Sequence, residues 1–456
     1  MTRTRVLPPA SESTWRLQVR AAAASALFVA FAGDALRNAF TMWGFSIIAV
    51  AVTVWLVVLF VKERPRIDAT RLPKSLIAYL LLAFASLAWS AYPGASAFTL
   101  LGVVVCTFAG LFVATMLSWP EVLRALGAAV KWVLGLSILF ELLVSVVLRH
   151  PLLPVTLIGT EGKHPALSYW SRNELFTGDR IQGIVGNANL LGVIALIGII
   201  VFSLQLAGKT ARGFRGWFWL GLAVLEFLLT RSSTMIVAAA IAAVALAAAL
   251  GFRHAASAAA RRALSLGVVV VGAGLVLGAT VFSRPLLGLL GKSSDLTGRL
   301  EIWDTVQSLA AQTPVFGLGF SSPWVPWVKP FDSLVVRHGV VQLQAHNAWL
   351  DVWLQLGILG VIVFAAVVFA TLWRVWFLAV DRPRFDLRDD RPYTALSLLP
   401  LLIITVLIVQ SFAESRILIE SGWVLLTLFA LKSKQHPVID SDAAAADPVR
   451  YEVEPA

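Results

Sequence analysis

Cysteine is nearly missing from this 456-residue sequence, where Cys106 stands alone inside an apolar run. One thiol cannot form an intramolecular disulfide, and the paired-cysteine spacing of a zinc site is missing with it. Charge is scarce as well. Charged residues make up 14% of the chain against 58% hydrophobic ones, with a mean hydropathy of +0.81. That is more apolar material than one soluble core can bury, so the chain reads as an integral membrane protein. Strict alternation of apolar and polar residues is also lacking, which excludes an outer-membrane barrel. Continuous runs such as Phe40 to Val61 and Ile181 to Leu206 are instead long enough for membrane-spanning helices, which need roughly 20 apolar residues.

Acidic residues are outnumbered, 26 against 37 Lys and Arg, for a net charge of +11. A nucleic-acid binder would gather its cations on one face or tail. Here they sit in short gaps between apolar runs, as topology signals do.

What is present is a series of about twelve apolar runs: 18–34, 38–61, 75–91, 96–118, 122–148, 182–207, 215–231, 233–251, 264–282, 347–373, 393–413 and 416–432. The first follows a basic start and is read as an uncleaved span rather than a signal peptide. With the N-terminus inside, "KERPRIDATRLPK", "GKTARGFRG", "FRHAASAAARR", "WRVWFLAVDRPRFDLRDDR" and "KSK" all fall on the cytoplasmic side, as the positive-inside rule requires. The expected protein is therefore an all-α, polytopic helical bundle of the cytoplasmic (inner) membrane. Its membrane domain covers 1–432, and a disordered cytoplasmic tail covers 433–456.

Residues 283–345 form a large extracytoplasmic loop in this topology, and an unstructured loop of that length is uncommon unless it carries function. Within it "TGRLEIWDTVQSLAAQTP" sets Leu300, Trp303, Val306 and Ala310 at helical spacing, and Pro314 stops the pattern. This predicts a short amphipathic helix at the outer surface. The Pro- and Trp-rich "SSPWVPWVKPFDS" reads as irregular loop.

Polar residues collect on the outer side: Arg180, Arg231, Arg299, His346, Glu414 and Arg416 all fall there or at an outer span end. Arginines at that boundary run against the usual bias. Their planar forks suit diphosphate oxygens in a bidentate way, although a single one can equally snorkel to lipid headgroups. His346 opens the apolar stretch "HNAWLDVWLQLGILG". A neutral imidazole has one free ring nitrogen and can take a proton from a hydroxyl, while Asn347 can orient ring or sugar. A histidine at a helix start can also be purely structural. Gly357 and Gly360 are expected to let another helix pack close. Glu141 and Glu226 lie inside spans, as proton sites or as partners of buried arginines. Trp303, Trp324, Trp327 and Trp349 are read first as interfacial anchors and second as platforms for sugar rings.

The segment "AHNAWLDVWLQLGILG" resembles the His-Asn, nine residues, Gly, two residues, Gly signature of the O-antigen ligase and polysaccharide polymerase superfamily. "RIQGIVGNANLLG", "LLTRSSTMIVA", "SSDLTGRLEIW" and "SFAESRILIESGWVLLTLF" are similar to other segments of that superfamily and stand in its order, over roughly residues 180 to 430. The resemblance implies a metal-independent, inverting glycosyltransferase without a cofactor. It would move a glycan from a polyprenyl diphosphate lipid, of the undecaprenyl type, to an acceptor hydroxyl on the outer side of the membrane. It assigns catalysis to His346, Arg180 and Arg231, and substrate binding to Arg299, Asn347, Asn187 and Arg416. Arg231 precedes Ser232 and Ser233 where the family's usual order is the reverse, so Arg299 is a second candidate for the phosphate contact. Ligase and polymerase differ only in acceptor, and the Thr-Gly-Arg segment leans toward the polymerase. A lipid-linked oligosaccharide flippase or other transporter is the alternative. It would call for charged residues through both leaflets or for paired broken helices near the midplane.

Overall fold

The computed structural model describes residues 14–160, 162, 164–255, 257–267, 299–337, 339–381 and 392–439. Twelve helices organise them: α1 (Thr14–Phe31), α2 (Gly33–Glu63), α3 (Lys74–Ala85), α4 (Pro93–Met116), α5 (Trp119–Leu142), α6 (Ala188–Ala207), α7 (Gly213–Leu229), α8 (Ser233–His254), α9 (Arg299–Ala310), α10 (Ala348–Val380), α11 (Leu399–Ser411) and α12 (Glu420–Gln435). A single two-stranded ladder, β1 (Val336–Arg337) with β2 (Val340–Val341), is antiparallel and pairs Val336 with Val341.

Among the described residues six helical stretches are long and apolar enough to cross a membrane: Gly33–Glu63, Pro93–Met116, Trp119–Leu148, Ala188–Ala207, Ser233–His254 and Ala348–Val380; Lys74–Ala88 and Ala395–Ser411 are shorter apolar helices. The apolar run expected at 264–282 lies outside the described residues from 268 onward, as do 283–298 of the outer loop and 440–456 of the tail. The last helix continues to Gln435, so the segment assigned to the tail from 433 begins as helix.

One contiguous core holds the helices together, and α6 lies at its centre. The α6 sequence is apolar on every side, so it is buried on nearly every side, packed by α5, α7, α8 and α11. By contrast α2 is largely exposed, as expected of a helix whose apolar surface faces lipid.

Gly357 breaks α10. Its φ of 65° is the left-handed region, and a Cβ there would lie 2.1 Å from the Val315 carbonyl carbon. The sequence reading of Gly357 as a helix-packing glycine is corrected: backbone approaches it, not another helix. The main-chain groups freed by the break are satisfied by that approaching segment. Leu318 N donates to Leu354 O and Gly319 N to Gln355 O, both at 2.9 Å, while Ile358 N donates to Pro314 O at 2.9 Å.

This stitch anchors a folded cap. Residues 299–345 carry a second core in which Ile302, Val306 and Ala310 of α9 face Trp324, Phe331 and Tyr92. Leu300, expected on the buried face, is 43% exposed. Trp324 is fully buried and stacks on Phe331 at 5.3 Å, so its side chain is cap core rather than an interfacial anchor. Residues 299–337 and 339–345 thus form a packed cap over the start of α10.

Candidate functional site

Three helix starts share one local design. A residue in the left-handed region is followed by a polar side chain that caps the helix: Gly186 (φ 65°) then Asn187 at α6, Arg231 (φ 45°) then Ser232 at α8, and His346 (φ 50°) then Asn347 at α10. Asn187 Oδ1 accepts from the amides of Asn189 and Leu190, and Asn347 Oδ1 from those of Trp349 and Leu350. The caps satisfy otherwise orphaned N–H groups and fix where the preceding residue points. A left-handed conformation costs a non-glycine residue roughly 1–2 kcal/mol, and both Arg231 and His346 adopt it.

The three starts converge through Asn189 and Glu414. Asn189 Oδ1 accepts from Arg180 Nη2 at 2.7 Å and from Ser232 Oγ at 2.8 Å, while its Nδ2 donates to Glu414 Oε1 at 2.9 Å. Glu414 also accepts from Arg299 Nη2 at 2.9 Å, His346 Nδ1 at 2.8 Å and Gln344 Nε2 at 3.1 Å. Burial of Glu414 acts to raise its pKa. His346, Arg299 and Asn189 outweigh that and hold it down to about 2, so it is an anion. An ionised Oε2 requires His346 Nδ1 to donate, and Nε2, facing a carbonyl oxygen, donates in this arrangement too, so Nε2 serves as a proton acceptor only after giving up that contact and its proton. Nε2 lies 3.2 Å from Gln342 Oε1, whose amide is turned by donation of its Nε2 to Val340 O at 3.0 Å.

Two stitches hold the His346 and Glu414 segments together. Ser415 N donates to Gln344 Oε1 at 2.9 Å. Asp351 Oδ2 accepts from Ala345 N at 3.1 Å and from Ser415 Oγ. Trp303 Nε1 donates to Ala345 O at 3.1 Å, tying α9 to the same point.

The arginines differ in what they hold. Arg180 Nε donates to Thr230 O at 3.0 Å, so both of its hydrogen-bonded partners are neutral. Burial, and then the nearby Arg172, lower its pKa. Arg299 is tethered to Glu414 and 12% exposed. The Arg231 side chain is exposed and has no hydrogen bond or ion pair among the described residues. Arg416 is not brought to this cluster; it pairs with Asp34 and Glu420, in a separate network that includes Arg37.

Other polar candidates serve elsewhere. Glu141 accepts from the amides of Gln182 and Gly183 and from Ser171 Oγ, fastening the 171–183 loop to α5. Glu226 is buried and neither oxygen has a hydrogen-bond partner, so it does not pair with Arg231. Trp349 donates to Ser411 Oγ at 3.0 Å, inside a cluster with Phe364 and Phe412. Trp327 stays 69% exposed.

Residues 217–365 match the family described as O-Antigen ligase. The likeness covers that segment, about a third of the chain. No curated protein matches the chain. The O-antigen ligase segment contains Arg231, Arg299, His346 and Asn347. Arg180, Asn189 and Glu414 lie outside it and reach it only through the fold. Asn189 was visible in the sequence as the second asparagine of "GNAN"; Glu414, as one acidic residue between two apolar runs, carried no spacing signal that would pair it with His346. Among the described residues, no group of three or more His, Cys, Asp or Glu side chains could hold a metal ion.

Proposed function

We propose that the protein transfers a glycan from a polyprenyl diphosphate-linked donor to an acceptor hydroxyl, at the outer face of the cytoplasmic membrane, in a bundle of about twelve spans. The observation that carries this reading is the pairing of His346 with ionised Glu414 inside a cluster that also holds Arg299 and Arg180. One buried carboxylate against the two guanidinium groups of Arg299 and Arg180 leaves the cluster cationic, as a diphosphate requires.

In the proposed reaction His346 Nε2 accepts the proton of the acceptor hydroxyl. Its oxygen attacks the anomeric carbon from the face opposite the diphosphate, and the carbon–oxygen bond to the diphosphate breaks with inversion. Glu414 keeps Nδ1 protonated and stabilises the imidazolium that forms, the role a buried carboxylate plays toward histidine in acyl-transfer triads. Gln342 must turn its carbonyl away from Nε2 as the hydroxyl arrives. Arg231, whose donors are all free, takes the diphosphate directly, with the unengaged N–H groups of Arg299 and Arg180 beside it. Fixed cations then neutralise the leaving group without a metal ion.

Carbonyl and amide groups freed by the break in α10 are already bonded to the 314–319 segment. That break therefore offers nothing to a transported solute, which favours transfer over transport.

The test is glycan analysis by gel and mass in a deletion strain. Rescue by wild type alone, with single lipid-linked repeats accumulating in His346→Ala and Arg180→Ala strains at normal protein level, is the expected result. Full rescue by both variants would remove the proposal.

A further inference from the structure

Along α6 from Asn189, about 24 Å away at 1.5 Å per residue, Gln205 lines a groove of about 650 Å³ between α5, α7 and the loop joining α6 to α7. Arg124, Lys131, Trp132, Leu136 and Leu139 form one wall and Trp219 the other. The five α5 residues recur at helical spacing on one face. Gly135 lies on the floor, where a Cβ would come into ordinary contact with the Trp219 ring at 3.5 Å.

Among the described residues neither cation forms an ion pair. Lys131 Nζ lies 5.8 Å from the ring centres of both Phe202 and Trp219, and Arg124 makes no hydrogen bond or ion pair among the described residues. The nearby carboxylate on α5, Glu121, is already held by Arg16, Arg20 and Ser118. Lys131 sits about 18 Å along α5 from Trp119, too deep to be merely a helix-end cation. A charge at such depth is costly unless it meets an opposite one. The apolar wall opens sideways, with Trp132 65%, Leu139 62% and Leu136 37% exposed, on a stretch apolar enough to span a membrane. An amphiphile fits such an opening, with its head at the cations and its tail on the exposed apolar wall.

We propose that this groove binds an anionic phospholipid of the leaflet at that end of the bundle. The phosphate lies between Arg124 and Lys131, and an acyl chain runs along Trp132, Leu136 and Leu139. The site is separate from the His346 cluster and does not depend on the proposed transfer reaction.

Native mass spectrometry of the purified full-length protein, given equal amounts of phosphatidylglycerol and phosphatidylcholine, tests this. The expected result is retention of the anionic lipid at least about fivefold over the zwitterionic one. R124Q/K131Q should abolish the preference while melting at the wild-type temperature. Equal retention of both lipids by the wild type would overturn the proposal, and that comparison stands even if the variant fails to fold. An unchanged preference in a folded R124Q/K131Q protein would overturn it too. So would thermal stabilisation by inorganic phosphate with no lipid preference, which would make the groove a site for a soluble anion.

Discussion

Nδ1 of His346 lies 2.8 Å from Oε2 of Glu414, a residue 68 positions further along the chain. The contact fixes which ring nitrogen carries the proton, which way the ring faces and which face of the imidazole is left for a substrate. It also places a single anion where it meets Arg299, Asn189 and Gln344. Glu414 receives four donors, and this makes it the least replaceable acceptor in the cluster.

Glu414→Gln exchanges one acceptor oxygen for a donor, so at least one of the four donors faces another donor. Turnover should fall by about 10²–10⁴-fold, with a lowered melting temperature because Arg299 loses its buried partner. Glycan transfer assayed with purified protein, beside a melting curve, checks both. Activity within about threefold of wild type would show that His346 acts without the carboxylate.

The arginines should separate by stability. Arg231 holds nothing in the fold, so Arg231→Ala should weaken donor binding by about tenfold or more while stability changes by no more than about 0.5 kcal/mol. Arg299→Ala leaves Glu414 short of a cation and should cost about 3 kcal/mol or more. Donor titration and melting measured on the same preparations distinguish them; a large stability loss in Arg231→Ala would contradict the assignment.

Acid should remove the contribution of Glu414 in a defined window. Its pKa lies at about 2 against 4.5 for the free side chain. The fold therefore favours the ionised form, and the resulting stability is present above about 4.5 and lost as pH falls toward about 2. The size is about 3 kcal/mol at 1.36 kcal/mol per unit. The melting difference between wild type and Glu414→Gln should shrink across that interval. A difference that persists unchanged at the acid end would show that ionisation of Glu414 is not its source.

Gly357→Ala should be among the most damaging single-methyl changes in the chain. The new Cβ would meet the Val315 carbonyl at 2.1 Å on a backbone at φ 65°, so either the stitch to residues 314–319 or the break itself must give way. A loss of about 3 kcal/mol or more is expected, together with lost transfer activity because the cap, which carries Arg299 and the Gln342 that touches His346, shifts. Wild-type melting behaviour would show that α10 can run straight through this position.

The sequence by itself determined what short-range chemistry determines. Apolar runs specify helices able to cross a membrane, and Asn347 and Asn187 specify where α10 and α6 begin. His346 and the arginines announce themselves as polar residues at the ends of apolar runs. Each of these is legible within a few residues, because hydrophobic periodicity and helix capping act over a turn or two. Tertiary structure decided the rest. Glu414 meets His346, Arg299 and Asn189 across separations of 68, 115 and 225 residues, pairings that no local pattern encodes. The same holds for Arg231 making no ion pair among the described residues, for Arg416 turning to Asp34, and for Gly357 serving a helix break rather than helix packing. These depend on which backbone or charge arrives from elsewhere in the chain. Burial fixes them, since an unpaired polar group in a dry interior costs more than the entropy of holding a partner in place.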